Sequence, residues 1–303
     1  MPAPVSCFLC GKSDFKYWGS CTDIEYCTTA DTFEFYECQN CKPLQIDPMP
    51  TDKLSVIYPS NYYSFVSHKK GMVDNIKEWM DKRLFRKVLS GLKGDLKVLD
   101  VGGGSGWLLN VIRSISDRVK FTQVVDLDTN AEQLAKQNGH EYFCGRIEDF
   151  ETTQKFDFVL LLNLIEHVSN PLDVLKKIEN VLTDQGIVLI KTPNYDSLDA
   201  RMFKNWGGLH CPRHWVLFSE KSFKLVAEKA GLKIRSLSYT QGAPFWAVSI
   251  LAAMAKKNWV KITADKPAVT HPLFPLLLGV FAAFDLLRKP FAKTSQMFIV
   301  LEK

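Results

Sequence analysis

"VLDVGGGSGWLL", residues 98–109, is an apolar run that reaches an aspartate and then breaks into four glycines within five residues. The run reads as a buried strand, and Leu108, Leu109 and Ile112 resume at helical spacing. The glycines therefore occupy a strand-to-helix turn, where bare backbone can approach a ligand closely. A dinucleotide turn wants G-x-G-x-x-G, its last glycine packing the helix on the sheet. Counted from Gly102 and Gly104, that last position is Trp107. A P-loop needs Gly-Lys-Ser/Thr after four intervening residues, and no such tripeptide follows. What stands here is Asp100-x-Gly102-x-Gly104-x-Gly106.

Downstream, "FTQVVDLD" (121–128) is a second strand ending in Asp126, twenty positions past Gly106. An ionised carboxylate offers only acceptors, so an acid at that place can take both hydroxyls of a ribose. That serves NAD or S-adenosylmethionine (SAM) equally, and the glycine pattern separates them. Acidic-x-Gly-x-Gly-x-Gly resembles the first motif of the class I SAM-dependent methyltransferases. The resemblance implies that Gly102, Gly104 and Gly106 border the methionine end of SAM, with Asp100 helping to position it and Asp126 on the ribose. "GRIEDF" (145–150) follows the third strand, where this fold contacts adenine. Ile147 is expected against the ring, and Glu148 or Asp149 at its amino group.

At 303 residues the chain can hold one large domain plus small attachments, and 46% hydrophobic with 23% charged residues is a globular composition. A net charge of +5 is mild and gives no footprint of a dedicated nucleic-acid binder. No signal-peptide pattern opens the chain, so the cytoplasm is the expected compartment.

Half of the eight cysteines are explained by spacing. Cys7-x-x-Cys10 and Cys38-x-x-Cys41, 27 residues apart, can present four thiolates to one tetrahedral structural zinc. The segment between them carries Asp23, Glu25, Asp31, Glu34 and Glu37 and has no Lys or Arg from 17 to 37, which opposes phosphate binding. The zinc therefore reads as structural and no nucleic-acid partner is expected. "TNAE" (129–132) fits a capping box opening a helix, and Asn170 with Pro171 opens another. Residues 73–90 carry Ile76, Met80, Leu84 and Val88 at four-residue spacing, a helix expected to cover the sheet.

Strands at 97–101, 120–126, 140–144, 156–162 and 186–192 alternate with helices near 105–115, 130–138 and 171–182. A helix at 220–230 and strands at 232–239 and 296–303 complete the pattern. This is an α/β chain with a parallel, Rossmann-like sheet covered on both faces. The resemblance makes it the seven-stranded class I sheet, its final strand antiparallel. Five segments follow: a zinc ribbon over 1–50, a connector and covering helix over 51–92, and a SAM-binding core over 93–242. An apolar helical insertion takes 243–294, and the last core strand 295–303.

"NLIEHVSNP" (163–171) falls beyond the carboxyl end of a strand, where an open α/β sheet keeps its ligand crevice. Asn163 is expected at the SAM amino group and His167 over the methyl donor. The segment resembles the E-H-V stretch of ubiquinone-pathway O-methyltransferases, but Asn163 stands where that group has a Glu contributing to a metal site. "HCPRHWVLFSEKSF" (210–223) is similar to the His-x-x-x-Phe-Ser element of zinc-containing deoxysugar C-methyltransferases, whose catalytic histidine aligns with His214. With the ribbon and "YPSNYY" (58–63), the resemblance runs from residue 7 to about 240 and extends to small bacterial methyltransferases associated with surface polysaccharide. The resemblance does not take in the large C-terminal domain of the deoxysugar enzymes, so C-methylation is the less expected of the two sugar chemistries.

Methyl transfer needs an aligned, deprotonated nucleophile, and histidine is the natural base near neutral pH. His167 and His214 are the candidate bases, with Tyr58, Tyr62 and Tyr63 on the substrate side. His210 is expected in the loop. The expected acceptor is a sugar hydroxyl or carbon on a nucleotide or lipid carrier. The alternatives are a quinone-type phenol, or a zinc-ribbon adaptor with an inactive methyltransferase domain. Between 243 and 293 seven Lys/Arg face two acids around apolar stretches too short to span a bilayer, so contact of 243–290 with an anionic membrane is a further expectation.

Overall fold

In the computed structural model, residues 6–58 and 72–303 are described. The ribbon strands β1 (Phe15–Thr22), β2 (Thr32–Cys38) and β3 (Leu44–Asp47) precede the short helix α1 (Leu54–Ile57) and the long α2 (Met72–Leu89). Next come β4 (Leu96–Val101), α3 (Trp107–Arg113), β5 (Val119–Asp126), α4 (Thr129–Gln137), β6 (Glu141–Cys144) and β7 (Phe156–Leu162). They are followed by α5 (Pro171–Val181), β8 (Leu182–Pro193), α6 (Leu198–Met202), β9 (Val216–Leu217), α7 (Glu220–Lys229) and β10 (Lys233–Thr240). The chain closes with α8 (Ala243–Lys256), α9 (Phe274–Arg288) and β11 (Gln296–Glu302).

The large sheet runs β10-β11-β8-β7-β4-β5-β6. Its β4, β5, β6, β7 and β8 pair in parallel, and β11 lies antiparallel to both β8 and β10. The near-continuous apolar strands follow from burial on both faces: Val98, Leu99, Phe158, Val159, Leu160, Leu161, Val188 and Leu189 are all buried. The parallel pairing brings the glycine turn after β4, Asp126 ending β5, the Ile147–Asp149 turn after β6 and Asn163 after β7 to one edge. That edge is where such a sheet places its ligand.

Two local expectations shift. Helix α4 is capped by Asp128, whose side chain accepts from the Asn130 N–H at 2.8 Å, one residue before the expected Thr129. An aspartate leaving a strand makes as good a cap as threonine, and it comes first. Among the described side chains of α2, Phe85 and Leu89 are buried, whereas Met80 is 52% exposed. Leu84 and Val88 pack at the margin of the same cluster, so the covering face is rotated toward the aromatic. Tyr62, Tyr63, His68 and the Ile76 side chain lie outside the described residues.

The ribbon is joined to the core by more than its connector. Its sheet runs β1-β2-β3-β9, so it takes its fourth strand from residues 216–217, far beyond position 50. Leu44 pairs with Leu217, Gln45 with Val216, and the Ile46 N–H donates to the Trp215 carbonyl at 2.9 Å. The buried Cys7, Cys38, Phe35 and Ile46 share one apolar cluster with Val159 and Leu161 of β7.

Candidate active site and thiolate cluster

The glycine turn has the backbone its sequence demands. Gly102, Gly104 and Gly106 have φ of +76°, +51° and +74°, a region that side chains disfavour. A Cβ on Gly106 would lie 2.4 Å from His140 Cδ2, and one on Gly102 would lie 3.1 Å from Leu164 Cδ1. Gly104 faces open space. His140 is the support behind this turn, held by Thr122 Oγ1 at 2.8 Å and Asn110 Oδ1 at 3.1 Å. Nothing in the sequence around it marked that role, because all its partners are distant or on another element.

Asp100 is buried beneath the turn, and its Oδ2 has no hydrogen-bond partner. Burial, and secondarily the charge of Asp126, push its carboxyl up to about 7. A buried acid lacking a partner beside open glycine backbone is a cradle suited to a small cationic group. Asp126 Oδ2 accepts from the Gly104 N–H at 2.8 Å and Oδ1 from the Asp128 N–H at 2.9 Å. A carboxylate has about four lone-pair positions, so acceptor capacity remains for a diol. Ile147, expected against the adenine ring, is buried in the core at 3% exposure. Leu127, beside Asp126, is 66% exposed, and Glu148 is half-buried. Asn163 has φ +56°, a conformation its short amide tolerates, and its N–H donates to the Lys191 carbonyl at 2.8 Å.

His167 and His214 meet although 47 positions apart in sequence: their ring centroids are 4.7 Å apart. His210 lies in the turn after Gly207–Leu209, as expected, and joins them there, 4.9 Å from His214 and 6.2 Å from His167. The chain carrying His214 is anchored where the Trp215 and Val216 N–H groups donate to the Glu166 carbonyl, at 2.7 and 3.2 Å. His167 Nδ1 lies 3.0 Å from the Arg213 carbonyl, and His214 Nδ1 lies 2.8 Å from that of Gly208. A carbonyl only accepts, so Nδ1 carries the proton on both rings and each Nε2 keeps its lone pair. Tyr58 Oη also stands 3.0 Å from His167 Nδ1. Burial, aided by His210, pushes His167 down to about 3; burial and the neighbouring His167 and His210 hold His214 well below the usual histidine range. Both rings are therefore neutral at pH 7.

Beside them Glu166 is fully buried, with Thr192 Oγ1 donating to its Oε2 at 3.0 Å and its Oε1 lacking a partner 3.9 Å from His214 Nε2. Burial pushes this carboxyl up to about 8 despite the Thr192 bond. Glu166, His167 and His214 can bring one ligand atom each within 4.8 Å of one another, a two-histidine, one-carboxylate set of the kind that holds a divalent ion.

The wall behind the histidines comes from the ribbon, a contribution its acidic composition did not announce. Arg213 is fully buried: its guanidinium donates to Asp23 Oδ2 at 2.8 Å, to Asp23 Oδ1 at 3.3 Å and to the Ile57 carbonyl at 2.6 Å, and lies 4.6 Å from the Tyr26 ring. His210 Nδ1 pairs with Glu25 Oε2 at 2.5 Å. Burial works against ionisation of Asp23, but the Arg213 hydrogen bonds and charge outweigh it and hold the carboxyl below its usual range.

At the ribbon tip the sulfurs of Cys7 and Cys41 are 3.4 Å apart, those of Cys10 and Cys38 3.6 Å, and those of Cys38 and Cys41 3.5 Å. A tetrahedron with ~2.3 Å metal–sulfur bonds has edges of about 3.8 Å, so the four sulfurs fit one such ion. The other four cysteines lie outside this cluster.

A sequence profile of the family described as "Methyltransferase domain" matches residues 74–237. The ubiquinone biosynthesis O-methyltransferase of Bradyrhizobium sp. (strain ORS 278) is 31% identical over 116 residues, covering 36% of this chain and 44% of that protein. The enzyme of the same name from Glaesserella parasuis serovar 5 (strain SH0165) is 31% identical over 117 residues, 35% of this chain and 48% of its own. The chain thus spans less than half the length of these relatives. Among solved structures, coclaurine N-methyltransferase bound to N-methylheliamine and SAH superposes with a TM-score of 0.53 at 14% identity, over 84% of this chain and 81% of that one. At that identity the likeness shows the fold.

Proposed function

We propose a function from one established premise: the chain belongs to the methyltransferase-domain family. On that premise we infer that it is a SAM-dependent O-methyltransferase whose acceptor is a phenolic hydroxyl of a quinone-type precursor. The carrying observation is the pair of neutral histidines, each Nδ1 committed to a carbonyl and each Nε2 left as a base. SAM supplies the electrophilic methyl group. Asp100 lies under the turn where its cationic end fits, Asp126 has acceptor capacity for its ribose, and Leu127 offers a face to its adenine. His214 or His167 takes the hydroxyl proton, and Glu166 positions His214. A phenol ionises near ~10, like tyrosine, far below a sugar hydroxyl, so it asks the least of rings whose burial lowers their basicity. The ubiquinone-pathway relatives favour this acceptor class over the sugar.

A sugar hydroxyl is the second reading, and it rests on the His214-x-x-x-Phe218-Ser219 element, whose histidine does stand against His167. A divalent ion at Glu166, His167 and His214 would supply Lewis acidity to either acceptor. The Cys7, Cys10, Cys38 and Cys41 cluster takes a structural zinc.

The test is SAH release by the purified protein from SAM with a panel of catechols and nucleotide sugars, before and after metal chelation. We expect turnover of a catechol, depressed ~10²–10⁴-fold by His214→Ala or His167→Ala if either ring is the base. Turnover of sugars alone selects the second reading. SAM binding without turnover of any acceptor would leave the adaptor, and normal rates in both histidine variants would end the base assignment.

A further inference from the structure

Helix α9 carries apolar residues on every face, yet only one face is covered. Its inner side packs on α8: Phe281 stacks on Trp246 with centroids 4.8 Å apart, and Phe284 meets the same ring edge-on. The buried Asp285 accepts from the Gly242 N–H at 2.8 Å and is ion-paired with Arg288. The outer side carries Leu276, Val280 and Leu287, which are 63%, 52% and 77% exposed, and Phe291 follows the helix at 88%. At about 100° per residue these three helical positions fall within one narrow stripe. Asp285 is the only charged residue from 274 to 287, and it points inward. A solvated helix normally places charge on its outer side, so this stripe is built to be covered.

The surrounding charge identifies what covers it. The α8 end and the following loop carry exposed Lys256, Lys257, Lys261 and Lys266, and Lys289 lies at the other end of α9. The only exposed acid between 243 and 293 is Asp265. Lys257 Nζ lies 4.7 Å from the ring of the exposed Trp259, the aromatic-plus-cation pairing of a membrane–water interface. Two copies packed through this stripe would bring cations onto cations in either orientation, whereas lipid phosphates complement both ends. The helix is roughly 22 Å long, and no described helix is long and apolar enough to cross a membrane.

We propose that the outer face of α9 seats in the headgroup region of an anionic lipid surface, with the helix lying in the plane. The hairpin is coupled to the candidate site: Ser249 Oγ on α8 accepts from the Gly207 N–H at 2.8 Å, one residue from the Gly208 carbonyl that fixes His214. The seat does not depend on which acceptor the site takes, and its test reads no methyl transfer.

The experiment is co-sedimentation of the full chain with phosphatidylglycerol-rich vesicles and with pure phosphatidylcholine vesicles, at low and high salt. Wild type is expected to pellet with the anionic vesicles and to be released by salt. The triple variant Leu276→Glu, Val280→Glu, Leu287→Glu should lose at least about tenfold in partition. Lys256→Glu, Lys257→Glu, Lys289→Glu, which leaves the apolar stripe intact, should lose as much at low salt. Wild type that ignores anionic vesicles at low salt overturns the proposal. So does a wild-type dimer in sedimentation velocity that the Leu276 triple variant dissociates, because the occupant is then a second copy.

Discussion

Replacing Arg213 by methionine removes the guanidinium while keeping much of the side-chain volume, and it tests what holds the ribbon to the histidine loop. Arg213 and Asp23 are both fully buried at their side chains, so the substitution leaves an uncompensated buried carboxylate. Breaking such a pair costs ~3–5 kcal/mol. Asp23 retains the Thr28 hydroxyl at 2.6 Å and the Tyr26 and Thr28 N–H groups at 3.0 Å, which favours the lower part of that range, about 3 kcal/mol. The pH dependence has a definite sign. Asp23 is depressed in the folded protein, so its contribution is present above the unfolded carboxyl pKa and is lost as pH falls through the folded value. In Arg213→Met burial dominates and the carboxyl takes a proton more readily, so the stability gap to wild type narrows on acidification. Urea unfolding at neutral and acid pH reads both effects, and Asp23→Asn in the same background should recover part of the loss. A neutral-pH difference below about 1 kcal/mol, or a gap that widens in acid, would refute the reasoning.

Two further outcomes follow from buried acids and thiolates. Because Asp100 sits at about 7 and SAM brings cations toward it, SAM affinity should rise about tenfold between pH 6 and 8 and flatten above. Calorimetry of Asp100→Asn should show that dependence abolished, and an unchanged slope would clear Asp100 of the role. Elemental analysis should find about one zinc per chain, lost together with ribbon stability in Cys7→Ser, Cys38→Ser. Full zinc in that variant would assign the metal elsewhere.

What was legible in the sequence is what is decided locally. The β4 run, the Asp100 to Gly106 turn and the C-x-x-C knuckles each fix their own geometry within a few residues, and the Asn170 cap is legible for the same reason. The Asp128 cap was missed by one residue because two adjacent side chains can both perform it. The histidine site shows the opposite case. His167 and His214 were recognisable as chemical groups, but Arg213, Asp23 and Glu25 acquire meaning only when β9 adds to the ribbon sheet, a pairing of residues some 170 positions apart. His140 likewise reads as an unremarkable residue until the fold sets its ring against Gly106. Met80 was placed on the covering face by spacing alone, and packing of the larger Phe85 took precedence.

The central claim is tested most directly by calorimetric titration of the purified chain with SAH and, separately, with NAD. The account predicts saturable one-to-one binding of SAH, weakened by roughly 1.5–3 kcal/mol in Asp126→Ala through loss of charge-assisted hydrogen bonds. It predicts no binding of NAD, since Trp107 occupies the last glycine position of a dinucleotide turn. Binding of NAD with no heat from SAH would contradict it.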